Sequence, residues 1–322
     1  MEHVETIPGL VSIMIPTYER PRMFEEALKS ALAQTYPHVE IIVCDNSRDE
    51  RTAELMEKYL PDPRVKYVRN REAKSKEENF MPFERLAHGE YLQWLMDDDV
   101  LLPDKLRLMV ACFEQIPGIT LVTSRRGVID GEGKYLGQKS TEIEMEGQYA
   151  VFEGPDLGKH MLRNFANFVG EPSAALFRRR DLLHHYWKAQ SRGYYTISDV
   201  AMWLELLEKG DCVVFRDPLS YYRWHGAQEG QQKDVILLSR LEWFRLATED
   251  YPGRRVFLKE WEDFAFLLQA LCREYDRVEP HRDPEFLECS HWKEYARTMW
   301  KMRRILAEGK GAVTIQDRGI CQ

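Results

Sequence analysis

Residues 90–106 read EYLQWLMDDDVLLPDKL, and this stretch predicts both the fold and the place of a site. Its first half is an almost unbroken apolar run of strand length, typical of a strand buried on both faces of a parallel sheet. The run ends in Asp97, Asp98 and Asp99, and Pro103 then suits the first turn of a helix. Because ligands of open α/β sheets bind beyond the carboxyl ends of the strands, the aspartates stand where a ligand is expected.

Three adjacent carboxylates repel one another and cannot all be buried without a compensating cation. A divalent metal would supply that cation through oxygen ligands. The alternative is a solvated acidic loop that caps the following helix, which is the simpler interpretation of Asp98 taken alone. For three aspartates directly after a buried strand, we favour the metal site.

The segments around this stretch alternate in the rhythm of a parallel α/β sheet. Strands are predicted over 11–15, 39–43, 65–68, 119–124, 173–177 and 212–215, and helices over 49–60, 104–113 and 200–209. Pro16 is expected to stop the first strand, and Pro21 to open a helix after it. Ser47 and Glu50 have the spacing of a capping box at the start of the next helix.

Two further aspartates have a simple role that competes with a functional one. Asp45 follows the second predicted strand, and we weigh a cap of the next helix equally with acceptance of an N–H from a nucleotide base. Asp199 precedes the amphipathic helix over 200–209, and its simplest role is the N-terminal cap of that helix.

After residue 232 the composition changes to long helical patterns. Two stripes at helical spacing, Phe257, Trp261, Phe264, Leu268 and Leu271, then Trp292, Tyr295, Met299, Met302 and Leu306, should each bury one helix face. We therefore predict an α/β domain over 1–232, a helical region over 233–310 and a flexible tail over 311–322. The stripes should pack on the α/β domain or on a second copy, which allows a homodimer through these helices.

Composition limits the class of protein further. The 322 residues carry a net charge of −8, which argues against nucleic acid as a partner because phosphate contacts need a basic face. No apolar run approaches ~18 residues, so no transmembrane helix is expected. The acidic start lacks a signal-peptide core, and the six scattered cysteines are typical of reduced thiols in a cytoplasmic protein.

Several motifs in a fixed order resemble the family-2 type of nucleotide-sugar glycosyltransferase, with the fold known as GT-A. They are VSIMIPTYERP, VCDNS, GEYLQWLMDDDVLLPDKL, VGEPSAALFRR and ISDVAMWLELLEKGDCVVF followed by LSYYRWHGAQ. The resemblance covers about residues 9–232 and implies a Rossmann-like mixed α/β sheet sandwiched by helices, with an all-helical C-terminal extension. The sequence departs from the family at Cys44, where many members have a second aspartate, and it lacks the Gln-x-x-Arg-Trp motif of processive polymerases.

The resemblance also implies roles for individual residues. Nucleotide-sugar binding falls to Pro16, Thr17, Tyr18, Glu19, Asp45, Lys76, Asp97 and Asp98. Asp99 corresponds to the metal ligand for Mn²⁺ or Mg²⁺, and His225 to a residue that can reach the metal or diphosphate. Asp199 corresponds to the general base on the acceptor. Glu171, Ser173 and Trp203 are candidates for the acceptor side.

We therefore expect a metal-dependent, inverting glycosyltransferase that uses a nucleoside-diphosphate sugar, with UDP as the nucleotide. The acceptor is open among a saccharide, a lipid-linked saccharide, a peptide and a small molecule. A sugar-nucleotide nucleotidyltransferase is the alternative enzyme. That class has a Gly-rich phosphate loop near its start, whereas this chain has PTYERPR there, which contains no glycine. A non-catalytic nucleotide- or glycan-binding protein is the third hypothesis, against which the intact aspartates argue.

Overall fold

The computed structural model describes residues 4–139, 145–182, 193–226, 232–246, 256–277 and 284–309. These residues divide into two compact units. The first lies within Met1–Phe152, Val169–His185 and Lys209–His225, and the second within Glu153–Phe168, Tyr186–Glu208 and Gly226–Gln322. Two segments before residue 232 thus belong to the second unit, and the predicted domain boundary there stays a prediction. The predicted tail over 311–322 lies outside the described residues.

The first unit is built on a mixed sheet that has ten strands within the described residues. They are β1 (Ile7–Thr17), β2 (Val39–Asp45), β3 (Val65–Arg69), β4 (Gly89–Trp94), β5 (Val100–Leu101), β6 (Ile119–Asp130), β7 (Tyr135–Lys139), β8 (Tyr149–Phe152), β9 (Leu176–Arg178) and β10 (Asp211–Trp224). Their order is β3-β2-β1-β4-β9-β6-β10-β5, with β7 on β6 and β8 on β10. Strands β1 to β4 pair in parallel, whereas β9 runs antiparallel to both β4 and β6.

Helices pack on this sheet because each presents an apolar face to it. The first unit contains α1 (Pro21–Leu32), α2 (Arg51–Met56), α3 (Lys76–Phe80), α4 (Phe83–Leu86) and α5 (Lys105–Gln115). In α1, residues at helical spacing such as Phe24, Leu28 and Ala31 are fully buried. They share one hydrophobic core with alternate residues of β1 and β2 and with buried residues of α5. The predicted α/β alternation is therefore confirmed.

Pro16 does not stop the first strand, contrary to the sequence prediction. β1 runs on to Thr17, whose carbonyl accepts from Asn46 on the β2 side. Neighbouring residues of a strand point their backbone groups in opposite directions, so the nitrogen of Pro16 faces the β4 side. The pairing with β4 has already ended at Met14 and Trp94, and no ladder hydrogen bond is lost to the proline.

The predicted capping box at Ser47 and Glu50 does not form. α2 begins at Arg51, and Glu50 at its N-cap makes no side-chain cap bond. The Ser47 hydroxyl instead accepts the backbone N–H of Glu19 at 2.8 Å. The Ser47 hydroxyl is therefore used in a tertiary contact between two loops at the strand ends and does not cap the helix.

The segment predicted as a strand over 173–177 divides into two elements. Pro172–Ala174 forms a tight 3₁₀ turn, and only Leu176–Arg178 pairs as β9. The strand predicted over 212–215 is longer than expected and continues to Trp224 as β10. β6 and β7 pair in antiparallel as a hairpin.

The second unit is helical in its described residues. Its helices are α6 (Gly154–Asn164), α7 (Ser198–Leu207), α8 (Lys233–Arg245), α9 (Trp261–Arg277) and α10 (Trp292–Glu308). α6 contacts α7 and α9, and α10 contacts α8 and α9. Most residues of the two predicted stripes are buried, including Phe257, Leu268, Tyr295 and Met302. Among the described helices, none is long and apolar enough to cross a membrane.

Gly158 in the middle of α6 tests the packing of this unit. A Cβ atom there would lie 2.3 Å from Cε1 of Phe257, which is fully buried. We expect Gly158→Ala to lower the free energy of unfolding by about 1–3 kcal/mol, because overpacking outweighs the better helix propensity of alanine. In the background Phe257→Leu the same change should cost less or become stabilising. Urea unfolding of the four proteins measures this, and equal costs in both backgrounds would contradict the contact.

Candidate active site

The three aspartates follow β4 at the edge where the parallel strands end. Asp97 is held by the loop after β1, since the Thr17 hydroxyl donates to its Oδ2 at 3.0 Å and the backbone N–H of Tyr18 at 3.3 Å. Asp97 is 8% exposed and Asp99 only 2%. The fold therefore brings together Thr17, Tyr18 and the acidic motif, which the sequence assigned to one site.

Asp98 contacts a guanidinium and an imidazole. The Nη1 atom of Arg20 and the Nε2 atom of His225 each lie 3.1 Å from its Oδ2. The same Arg20 nitrogen lies 3.4 Å from Oδ1 of Asp97. His225 is thus in the predicted cluster, in contact with Asp98. Arg20 was not singled out from the sequence, and its place in the loop after a strand was the available signal.

Asp99 is held from β10 and from the turn at Pro172–Ala174. The backbone N–H of Arg223 donates to its Oδ1 at 3.0 Å, and the nearby Ser173 side chain favours the ionised carboxylate. Arg223 is fully buried, and its Nε donates to the Asp98 carbonyl at 2.8 Å while Nη2 pairs with Glu26 at 2.5 Å. Sequence reasoning missed this structural role of Arg223, because the contacts come from three distant segments.

The carboxylates of the motif are costly to ionise together. Burial, and then the charge of Asp98, raise the pKa of Asp97 to about 7 and that of Asp99 well above its ordinary value. In the described part of the chain, no group of three or more His, Cys, Asp or Glu residues is arranged to hold a metal ion. A Mg²⁺-type ion is usually bound by one or two carboxylates together with substrate phosphates. Asp99, the predicted ligand, is a buried carboxylate whose ionised form is disfavoured, and its chemistry fits one position of that donor set.

Asp45 lies at the end of β2 and is fully buried. Its Oδ1 accepts the backbone N–H of Ser47 at 2.7 Å, and its Oδ2 accepts the Tyr67 hydroxyl at 2.7 Å with Arg69 3.4 Å away. Burial, and then the hydrogen bond to Asp45, raise the pKa of Tyr67 to about 12, so this hydroxyl stays a donor. Asp45 therefore does not cap α2, which begins six residues later.

The other predicted nucleotide contacts lie in different settings. Pro16 is inside β1, and Glu19 adopts a positive φ of 53° in the loop that follows. That left-handed turn lets the loop return towards Ser47. Lys76 is exposed at the first residue of α3.

The three acceptor-side candidates have different surroundings. Glu171 forms ion pairs with Arg126 Nε at 2.7 Å and Lys139 Nζ at 2.5 Å. Burial alone would raise the pKa of Glu171, but the two cations outweigh it and lower that pKa. Ser173 lies beneath the acidic motif. Trp203 is fully buried, so it packs inside the protein, and its assignment to an acceptor surface is wrong.

Asp199 belongs to the second unit, in the first turn of α7. The helix begins two residues earlier than predicted, at Ser198, and its N-cap position is Ile197. Asp199 Oδ1 accepts the backbone N–H of Val200 at 2.8 Å, and Oδ2 accepts the Asn167 side chain at 2.9 Å. Asp199 is therefore not the N-cap, although a negative charge in a first turn still suits the helix dipole.

Comparison with known proteins agrees with this geometry. Residues 12–186 match the family model described as "Glycosyl transferase family 2". Protein CgeD of Bacillus subtilis (strain 168) is 26% identical over 219 residues, which are 61% of this chain and 46% of CgeD. Chondroitin synthase of Escherichia coli is 32% identical over 130 residues, which are 39% of this chain and 18% of that protein. This chain therefore matches less than half the length of either relative.

Solved structures share the fold at low identity. The crystal structure of S. aureus TarS 1-349 in complex with UDP-GlcNAc has a TM-score of 0.62 and 14% identity, and the match covers 90% of this chain and 81% of that chain. A second TarS structure has a TM-score of 0.57, with 82% of this chain and 43% of that chain covered. This likeness confirms the predicted GT-A type of fold.

Proposed function

This chain belongs to glycosyl transferase family 2, and we propose that it transfers a sugar from a nucleoside-diphosphate sugar, with UDP as the nucleotide. The observation that carries the proposal is the acidic motif in the first unit, where the buried Asp97 contacts the loop after β1 and the buried Asp99 follows two residues later, both with raised pKa values. Ionised carboxylates of this kind are stabilised by a divalent cation, and that cation can in turn bind a diphosphate. The related fold of TarS, titled as a UDP-GlcNAc complex, supports UDP as the nucleotide to test first.

A divalent cation, Mn²⁺ or Mg²⁺, is part of this proposal. Asp99 would hold it together with His225, which lies at the acidic motif through its contact with Asp98. Asp97 and Asp98 would lie on the ribose side of the nucleotide sugar. The ion would supply a Lewis acid that neutralises the departing diphosphate. Thr17 and the Tyr18 backbone fix the Asp97 carboxylate from the nucleotide side, so the loop that binds the nucleotide would also orient the acidic motif.

The proposed chemistry is a direct displacement. An acceptor hydroxyl forms the new bond to the anomeric carbon, the bond from that carbon to the diphosphate oxygen breaks, and the anomeric centre inverts. The hydroxyl proton goes to a general base, which we assign to Asp199. A two-step route needs a free nucleophilic carboxylate, and Glu171 is instead held by two cations.

Asp45 provides the test of nucleotide binding. We propose that Asp45 accepts an N–H of the base, so Asp45→Ala should weaken the binding of UDP by about 10-fold or more, the value of one or two charge-assisted hydrogen bonds. The Tyr67 hydroxyl occupies the same Oδ2 atom, so a base must compete with it. Tyr67→Phe should therefore bind UDP at least as tightly as the parent. Isothermal titration calorimetry with UDP and Mn²⁺ measures both affinities.

A matched control is Asp62→Ala, since Asp62 pairs with Arg64 on the surface of the same unit. It should leave the affinity for UDP unchanged. Binding of UDP by Asp45→Ala with the affinity of the parent would remove Asp45 from the site. No binding of UDP by the parent, with or without Mn²⁺, would contradict the proposed function itself.

Three further expectations stay proposals. The acceptor is a saccharide, a lipid-linked saccharide, a peptide or a small molecule, and a screen of acceptors with the identified donor would decide among them. The homodimer through the C-terminal helices and the cytoplasmic location are likewise expectations from the sequence. Sedimentation and cell fractionation would test them.

A further inference from the structure

A buried polar network lies beneath the acidic motif, at the turn Pro172–Ala174. Gln93, Lys105, Thr123 and Ser173 contribute to it, and all four side chains are buried in the first unit. Polar groups are rarely placed in a core unless a structure or a site depends on them, because burial costs free energy unless each group is hydrogen-bonded. The contacts of this network show which backbone it holds.

Ser173 connects the turn to the acidic motif. Its hydroxyl accepts the backbone N–H of Met96 at 3.0 Å, which ties the turn to the backbone of the motif. The hydroxyl keeps its own proton to donate towards the nearby Asp99 carboxylate, and its presence opposes the rise in the pKa of Asp99. The carbonyl of Ser173 accepts Nε2 of Gln93 at 3.2 Å, which ties the turn to β4.

Lys105 holds the next residue of the turn. Its Nζ donates to the Ala174 carbonyl at 2.6 Å, and the lysine is fully buried. Burial alone drives the pKa of this amine well below its ordinary value. Thr123 holds the approach to the turn, since its hydroxyl donates to the Val169 carbonyl at 2.7 Å. A core helix and a central strand therefore fix the turn that carries Ser173.

We propose that Ser173 and Lys105 are positioning residues for the metal-binding carboxylate of Asp99, with Ser173 holding the backbone of the motif at Met96 and Lys105 fixing the turn that carries Ser173. This inference rests on the proposed function, and it replaces the expectation that Ser173 contacts the acceptor. Groups that hydrogen-bond to a ligating carboxylate set its orientation, and their loss typically costs about 10–100-fold in metal affinity.

Two variants and one control test the positioning role. Ser173→Ala removes the hydroxyl, and Lys105→Met removes the amine while keeping a long apolar side chain. Ser220→Ala is the matched control, because Ser220 is an equally buried serine of the same unit whose hydroxyl has no hydrogen-bond partner among the described residues. The probe is Mn²⁺ titrated by calorimetry in the presence of UDP, with thermal melting measured alongside.

We expect both variants to raise the dissociation constant for Mn²⁺ by about 10–100-fold, while the control matches the parent. Lys105→Met should melt at or above the temperature of the parent, because a buried amine has been replaced by an apolar group. A purely structural role predicts the reverse, with a lower melting temperature and unchanged Mn²⁺ affinity. That result would overturn the proposal.

Hydrogen–deuterium exchange separates failure of this inference from failure of the proposed function. The amide of Met96 loses its acceptor in Ser173→Ala, so a peptide spanning 95–101 should exchange faster than in Ser220→Ala. If the parent binds neither Mn²⁺ nor UDP, the proposed function fails. The exchange rate of the 95–101 peptide in Ser173→Ala then still tests whether Ser173 positions the motif. Unchanged exchange in Ser173→Ala would overturn the inference. If the parent binds Mn²⁺, faster exchange in Ser173→Ala without a loss of Mn²⁺ affinity would overturn it as well.

Discussion

Asp99→Asn should lower kcat/KM by about 10²-fold or more while the protein keeps its fold. Asparagine retains the Oδ1 atom that accepts the Arg223 N–H, so the local backbone keeps its hydrogen bond. It removes the charge that would hold a divalent cation, and such a cation contributes several kcal/mol of transition-state stabilisation. The exposed Asp104→Asn, five residues along the chain, is the control and should keep full activity.

The same variant makes a prediction about stability and pH. The folded-state pKa of Asp99 lies above that of an exposed aspartate, so its ionisation disfavours the folded state, and this cost appears as pH rises. In EDTA, Asp99→Asn should therefore melt at or above the temperature of the parent at pH 8. Added Mn²⁺ should raise the melting temperature of the parent but not that of the variant. Full activity in the variant, together with no effect of EDTA on the parent, would eliminate the metal assignment.

Asp199→Asn is expected to lower kcat by roughly 10²–10⁴-fold with near-normal binding of the donor. Asparagine cannot take a proton at neutral pH, but its Oδ1 can still accept the Val200 N–H. The side-chain amide of Asn167, which now donates to Oδ2, can rotate to present its oxygen to the new amide. Stability should therefore be close to that of the parent, which separates the catalytic role from the structural one.

Single-turnover and steady-state kinetics with the identified donor measure this effect, and urea unfolding checks the stability. Asp156→Asn is the control, because Asp156 is an exposed acidic residue in the first turn of α6 in the same unit. It should leave kcat unchanged. A kcat for Asp199→Asn within a few-fold of the parent would remove Asp199 as the base, and Glu171 would then be the next residue to test.

The expectations that held rest on local chemistry. A strand-length apolar run followed by three aspartates predicted β4 and the acidic motif, since the period and length of apolar residues depend on few neighbours. The stripes of α9 and α10 predicted their buried faces for the same reason. The order of the motifs along the chain predicted the family, which the match over residues 12–186 confirms.

Local patterns failed where a distant segment competed for the same group. The Ser47 hydroxyl has the spacing of a helix cap, but it accepts the backbone N–H of Glu19 instead. Trp203 stood beside a candidate base in sequence, but helical geometry turns it into the interior. α6 was not predicted at all, because its glycines and charged residues give a weak helical signal until other helices of its unit pack on it.

The sequence by itself determined the class of fold, the family and the residue types of the acidic motif, because covalent order and apolar periodicity carry that information. Only the tertiary structure decided which groups surround each carboxylate. Arg20 and His225 reach Asp98, and Arg223 and Ser173 hold Asp99, from segments up to 127 residues away. A hydrogen bond depends on distances of a few tenths of an ångström, and such distances are set by packing rather than by spacing along the chain.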